Sequence, residues 1–168
     1  SINNKVAEQT KISWSDSTWN IAVGCSKVSD GCRFCYMMRD MGKRPQWSEV
    51  NGKVYPVSDN TFRQPLRWKE GRKIFVSSLT DFFHDQIPDS TRARAWDIMK
   101  RCPHHTFQIL TKRPQRILEC LPDDWGNGYP NVWIGVTVEN QKAANERLPL
   151  LAQIPAVIRF VSFEPLLG

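Results

Sequence analysis

From residue 73 onward the chain alternates short runs that are apolar on both faces with stretches of helical period. That rhythm restricts the folds open to it. The runs 73–79 (KIFVSSL), 106–111 (TFQILT), 132–138 (VWIGVTV) and 157–163 (VIRFVSF) read as strands buried on both sides, as parallel strands are. Between them, 89–101 reads as a helix with Asp89 or Ser90 as N-cap, Ala95, Ile98 and Met99 at helical spacing, and Pro103 just beyond its end. Residues 114–121 read as a short helix opened by Pro114, and 139–153 as a helix broken or bent near Pro149. Alternating strands and helices imply a parallel sheet with right-handed crossovers, closed as a barrel or left open. The glycine-rich phosphate fingerprint of a doubly wound dinucleotide fold is missing, which weakens the open alternative. The expected class is therefore α/β, a partial TIM-like (β/α) barrel. Because the sequence ends at Gly168 directly after a strand, the barrel is expected to be truncated.

The length of 168 residues suits one domain. Residues 1–10 read as a flexible leader and 11–168 as the domain. Residues 48–72 look irregular, with a small hairpin around Asn51–Gly52. No apolar run approaches the roughly 20 residues that span a bilayer. The polar N-terminus lacks the apolar segment of a signal peptide. A cytoplasmic protein without a membrane partner is expected. The net charge of +6 permits contact with nucleic acid but does not select it.

The cysteines carry the chemistry. Five are present, an odd number that argues against a disulfide framework and for metal or redox chemistry. Cys25, Cys32 and Cys35 form C-x6-C-x2-C, while Cys102 and Cys120 stand apart. Thiolates are soft ligands for iron–sulfur clusters and for zinc. A structural zinc site takes four protein ligands, and no fourth lies nearby in sequence, although His84, His104 or His105 can arrive through the fold. Three cysteines on a cubane cluster leave one iron open to an amine and a carboxylate, such as those of S-adenosylmethionine (SAM). Spacing alone leaves iron–sulfur, zinc and unligated thiols all open.

Cys32-Arg33-Phe34-Cys35 resembles the second half of the radical SAM cysteine motif, with a first gap of six residues in place of the usual three. Ser77 to Phe83 (SSLTDFF) resembles the second-strand motif of the spore photoproduct lyase-like branch. Leu110-Thr111-Lys112 resembles that branch's third-strand motif, and Val136-Thr137-Val138 sits where its fourth strand ends. Residues 11–168 also resemble a phage-associated family of three-cysteine proteins whose own activity is not established. The stretches at Thr18-Trp19-Asn20, Thr80 to His84, His105 to Pro114, Gly135 to Glu139 and Arg159 to Gly168 carry that second likeness.

The resemblance implies that Cys25, Cys32 and Cys35 ligate a [4Fe–4S] cluster and that Phe34 packs beside the SAM adenine. Thr80, next to Asp81, would meet the SAM amine. Lys112 would meet its carboxylate, and Thr137 its ribose. Glu139 and Glu164, just past strand ends, would hold substrate or ribose. Bland alternatives stand beside each role: a turn carboxylate for Asp81, a solvated loop lysine for Lys112, a helix-start carboxylate for Glu139. Trp14, Trp19 and Trp47 suit base stacking or packing. The implied function is reductive cleavage of SAM to a deoxyadenosyl radical that acts on an unknown substrate, DNA or RNA among the candidates, fed by an external electron donor. The alternative is a non-catalytic zinc-binding, nucleic-acid-associated protein. Both readings of the residues agree that the cysteine loop, Asp81, Lys112, Thr137 and Glu164 belong at the carboxyl ends of strands.

Overall fold

The computed structural model describes residues 15–24 and 54–164. The expected leader, the three loop cysteines, Phe34, Trp14, Trp47 and the turn at Asn51–Gly52 lie outside those residues. Five parallel strands form one sheet: β1 (Ser17–Trp19), β4 (Lys73–Val76), β5 (Thr106–Thr111), β6 (Val132–Val138) and β7 (Ile158–Phe163), adjacent in that order. Two short strands, β2 (Ala22–Val23) and β3 (Tyr55–Pro56), pair antiparallel beside it. The class is mixed α/β. Strand order follows chain order without a reversal, so the described sheet is not doubly wound. With this order, crossovers of the right-handed kind usual for parallel strands would place the connections on one face.

Two short helices, α1 (Asp59–Phe62) and α2 (Gln64–Arg67), precede β4. Helix α3 (Asp89–Arg101) has the expected span and buries Ala95, Trp96, Ile98 and Met99. Its N-cap is Pro88, which offers no side-chain cap; Asp89 instead opens the first turn and pairs with Arg92 at 3.1 Å. A 3-10 turn (Pro114–Arg116) leads into α4 (Ile117–Cys120). Helix α5 (Gln141–Ala152) is capped by Asn140, whose side chain accepts from the Ala143 N–H. It runs through Pro149 unbroken, because Leu151 and, just past its end, Ile154 anchor the last turn in the core. Among the described residues no helix is long and apolar enough to cross a membrane.

Register sorts the strand residues into two faces. Trp19, Ile74, Val76, Phe107, Ile109, Val132, Ile134, Val136 and Val138 join the helices in one core cluster. Trp19 is fully buried, donates its indole N–H to the Phe62 carbonyl at 3.0 Å and meets the Phe107 ring edge-on; it is a core residue. The opposite face carries Phe75, Gln108, Leu110, Gly135 and Phe160, none of them in that cluster.

Gly135 lies under the Phe160 ring: a Cβ there would come within 2.6 Å of two ring carbons. Gly135→Ala is expected to destabilise the protein by about 1–3 kcal/mol through overpacking. In a Phe160→Ala background most of that cost should vanish, as urea denaturation of the four-member cycle would show.

Candidate functional site at the strand ends

The strand pattern expected over 73–79 stops at Val76 because Ser77 adopts φ 64°, left-handed for a residue that is not glycine. Its N–H still reaches back to the Trp19 carbonyl at 2.7 Å. Asn20, next after β1, clamps the loop that follows: its Oδ1 accepts from the Leu79 N–H at 2.9 Å and its Nδ2 donates to Ser78 Oγ at 3.2 Å. The Gly24 N–H donates to the Leu79 carbonyl at 3.2 Å. The residue preceding Cys25 is thus tied to the carboxyl end of β4.

Asp81 is buried where β4 and β5 end. Its carboxylate accepts from Thr111 Oγ1 at 2.7 Å and from the N–H groups of Phe83 and Lys112 at 2.9 Å each. The Arg113 guanidinium lies 4.0 Å away. Its role is a bracket across two strand ends, more than the turn carboxylate weighed from sequence. Lys112 is half-buried beside it.

At the end of β6, Glu139 and Arg147 form a buried bidentate pair, with contacts of 2.9 and 3.3 Å. The same guanidinium donates to the Thr137 carbonyl and hydroxyl, at 2.9 and 3.1 Å. Thr137 and Glu139 are therefore held by α5. Glu164, buried after β7, is fixed through its N–H to the Val138 carbonyl at 3.0 Å. Thr80, Asp81, Lys112, Thr137, Glu139 and Glu164 all lie at the carboxyl edge, as expected from sequence. Arg147 and Asn20, which organise that edge, were not anticipated; only their spacing from strand ends offered a hint.

Some buried groups are left without partners. Among the described residues the hydroxyls of Ser77 and Thr80 and both amide atoms of Gln108 find no hydrogen-bond partner. Buried polar groups are normally satisfied, so these three mark where a polar ligand would be accommodated.

The histidines are engaged elsewhere. His105 accepts from the Arg72 N–H at Nδ1 and donates from Nε2 to the Pro65 carbonyl, at the amino end of the sheet. His104 contacts the Trp68 carbonyl at the same end. Neither reaches the carboxyl edge as a fourth ligand. His84 is near that edge but fully buried, and its Nδ1 accepts from the Gln86 N–H at 3.0 Å. Burial pushes the Cys102 and Cys120 thiols up in pKa, which keeps them protonated and poor ligands. Among the described residues no three His, Cys, Asp or Glu side chains gather as a metal site. A cleft of about 450 Å³ between α3 and the 119–129 turn lies on the helix face; its Lys100 already pairs with Asp124 at 2.5 Å.

Arg147→Met leaves Glu139 buried without its cation and should cost about 3–5 kcal/mol in chemical denaturation. The double variant Glu139→Leu/Arg147→Met should recover most of that loss. A second expectation concerns pH. Burial lowers the pKa of His84 and of His105; the exposed Asp85 carboxylate beside His84 opposes this only weakly. The unfolded chain therefore takes up protons first on acidification. Stability present above about pH 6.5, the ordinary histidine value, should fall as pH drops below it. The decline should shrink in a His84→Asn/His105→Gln variant, read from denaturation midpoints at successive pH values.

Residues 9–168 match the profile of a family described as DUF5131, a protein family of unknown function. No curated protein and no solved structure matches the chain. With the match spanning nearly its full length, the chain belongs to the DUF5131 family.

Proposed function

We propose that this protein is a radical SAM iron–sulfur enzyme whose site is the carboxyl edge of the sheet. One observation carries the reading: the buried, unpartnered Thr80 hydroxyl lies on the edge to which Gly24, the residue before Cys25, is hydrogen-bonded. Thr80 suits the SAM amine and the Lys112 ammonium its carboxylate. Asp81 and the Glu139–Arg147 pair act as positioning groups, since their charges are already met within the protein. Thr137, whose hydroxyl accepts from Arg147, is the residue assigned to the ribose. Cys25, Cys32 and Cys35 supply three thiolates to the cluster, and Phe34 an aromatic face for the adenine. When bound, a [4Fe–4S] cluster supplies the electron that cleaves SAM reductively to methionine and a deoxyadenosyl radical, and an external donor replaces that electron.

The same reading takes the sheet as an arc of a TIM-like barrel of radical SAM type. Sequential parallel order with right-handed crossovers is how such a barrel winds. The engaged histidines favour iron–sulfur over zinc, because a closed zinc site asks for a fourth ligand.

Anaerobic reconstitution followed by iron, sulfide and zinc analysis tests the reading. About four irons per chain are expected, lost in Cys32→Ala, with an absorbance change on adding SAM. Thr80→Val should leave stability intact and weaken that response. One tightly held zinc with no iron–sulfur absorbance would sink the proposal.

A further inference from the structure

Gln108 sits at the middle of the central strand, β5, on the face turned away from the helices. It is fully buried, and among the described residues neither its amide oxygen nor its amide nitrogen has a hydrogen-bond partner. An amide in this state costs the folded chain free energy that is recovered only when partners arrive. Its register neighbours are Phe75 on β4 and Trp133 on β6. One rung toward the carboxyl edge, the Phe160 ring covers Gly135. Ser77, just past the end of the neighbouring strand β4, is held at φ 64°, and its hydroxyl has no partner among the described residues. Such strain collects at ligand sites. Lys112 stands four residues beyond Gln108, about 13 Å along the strand at the rim.

We infer that this inner face binds a nucleobase, with the Gln108 amide as the group that reads it. The glutamine amide offers one donor and one acceptor in a plane, the complement of a base edge that presents the same pair; adenine N6 and N7 are one such edge. Aromatic residues on the two strands beside it match a flat ring. The net charge of +6 suits the phosphate of a nucleotide. The inference deepens the reading above, on which it rests for the chemistry done to the bound molecule, and it names that molecule's class. The residues assigned to SAM stand at the rim, whereas Gln108 is deeper, so the base it reads is assigned to the substrate.

Calorimetric titration of the full chain with the four ribonucleoside 5′-monophosphates tests this, in the wild type, Gln108→Leu and Cys32→Ala. At least one nucleotide should bind the wild type, and saturating SAM should not displace it. Gln108→Leu should weaken that binding about tenfold or more. It should also raise the melting temperature of the unliganded protein, by about 2–4 °C, because an unsatisfied amide has been removed. Gln108→Met is the second variant should leucine not fold. Binding unchanged in both variants, or none of the four nucleotides bound, overturns the inference. Displacement by SAM, with SAM binding equally weakened in Gln108→Leu, assigns the base to the cofactor and overturns the substrate assignment. Cys32→Ala should bind the nucleotide like the wild type; loss of iron in that variant bears on the radical SAM reading alone.

Discussion

The buried carboxylate of Asp81 is the interaction on which the carboxyl edge depends. Three donors converge on it: the Thr111 hydroxyl and the Lys112 N–H from the end of β5, and the Phe83 N–H from its own loop. Hydrogen bonds to a charged acceptor are worth roughly 1.5–3 kcal/mol each. Without it the strand ends would present unsatisfied donors in a buried place. The loop after Asp81 is secured a second time by Arg92, whose guanidinium donates to the carbonyls of Phe82, His84 and Ile87. A helix-borne cation thus substitutes for a sheet ladder where the chain has left the sheet. The segment from Ser77 to Ile87 carries no regular structure beyond turns, yet it is fixed at both ends.

That fixing separates the edge into two kinds of group. Asp81, Thr111, Glu139, Arg147 and Thr137 satisfy one another inside the protein. They hold the geometry: Arg147 meets the Glu139 charge, and neutral donors hold Asp81 with Arg113 4.0 Å away. Thr80 and Ser77 are buried in the same loop without a partner. The φ of 64° at Ser77 costs on the order of 1–3 kcal/mol, sustained because Asn20 and the Trp19 carbonyl grip the backbone on both sides. A site assembled this way meets its ligand with little rearrangement, which is what the proposed chemistry asks of it.

Much of this architecture was legible in the sequence. Strands β5 and β6 and helix α3 fall on the residues expected, because long apolar runs and a clear helical period leave little freedom. The placement of Thr80, Asp81, Lys112, Thr137 and Glu164 at strand ends followed from the same reading. Other features were hidden for physical reasons. Strand β1 is three residues, Ser-Thr-Trp, too short to show a period, and it exists because β4 offers it a parallel edge. Strand 73–79 ended early through a backbone angle that propensity does not encode. Pro149 suggested a break, yet the core contacts of Leu151 carry α5 past it. Arg147 went unnoticed because nothing in a helix pattern separates an arginine that turns inward to a carboxylate from one that is solvated.

The two faces of the sheet obey different rules, and the difference bears on function. On the helix face the central strands β4, β5 and β6 bury Ile74, Val76, Phe107, Ile109, Val132, Ile134, Val136 and Val138 in one continuous cluster, as packing alone demands. On the other face a glutamine is sealed in with no partner among the described residues, between positions occupied by Phe75 and Trp133. A leucine or methionine at 108 would fill similar space without stranding an amide, so stability gives no reason for glutamine there. The strained Ser77, its hydroxyl without a partner among the described residues, lies just past the end of the adjoining strand. Places where a fold departs from its own local consistency are where function is to be sought. Here the departures are Gln108 in the interior of the sheet, where the base site is inferred, and Ser77 and Thr80 beyond the end of β4, where the cofactor site is proposed.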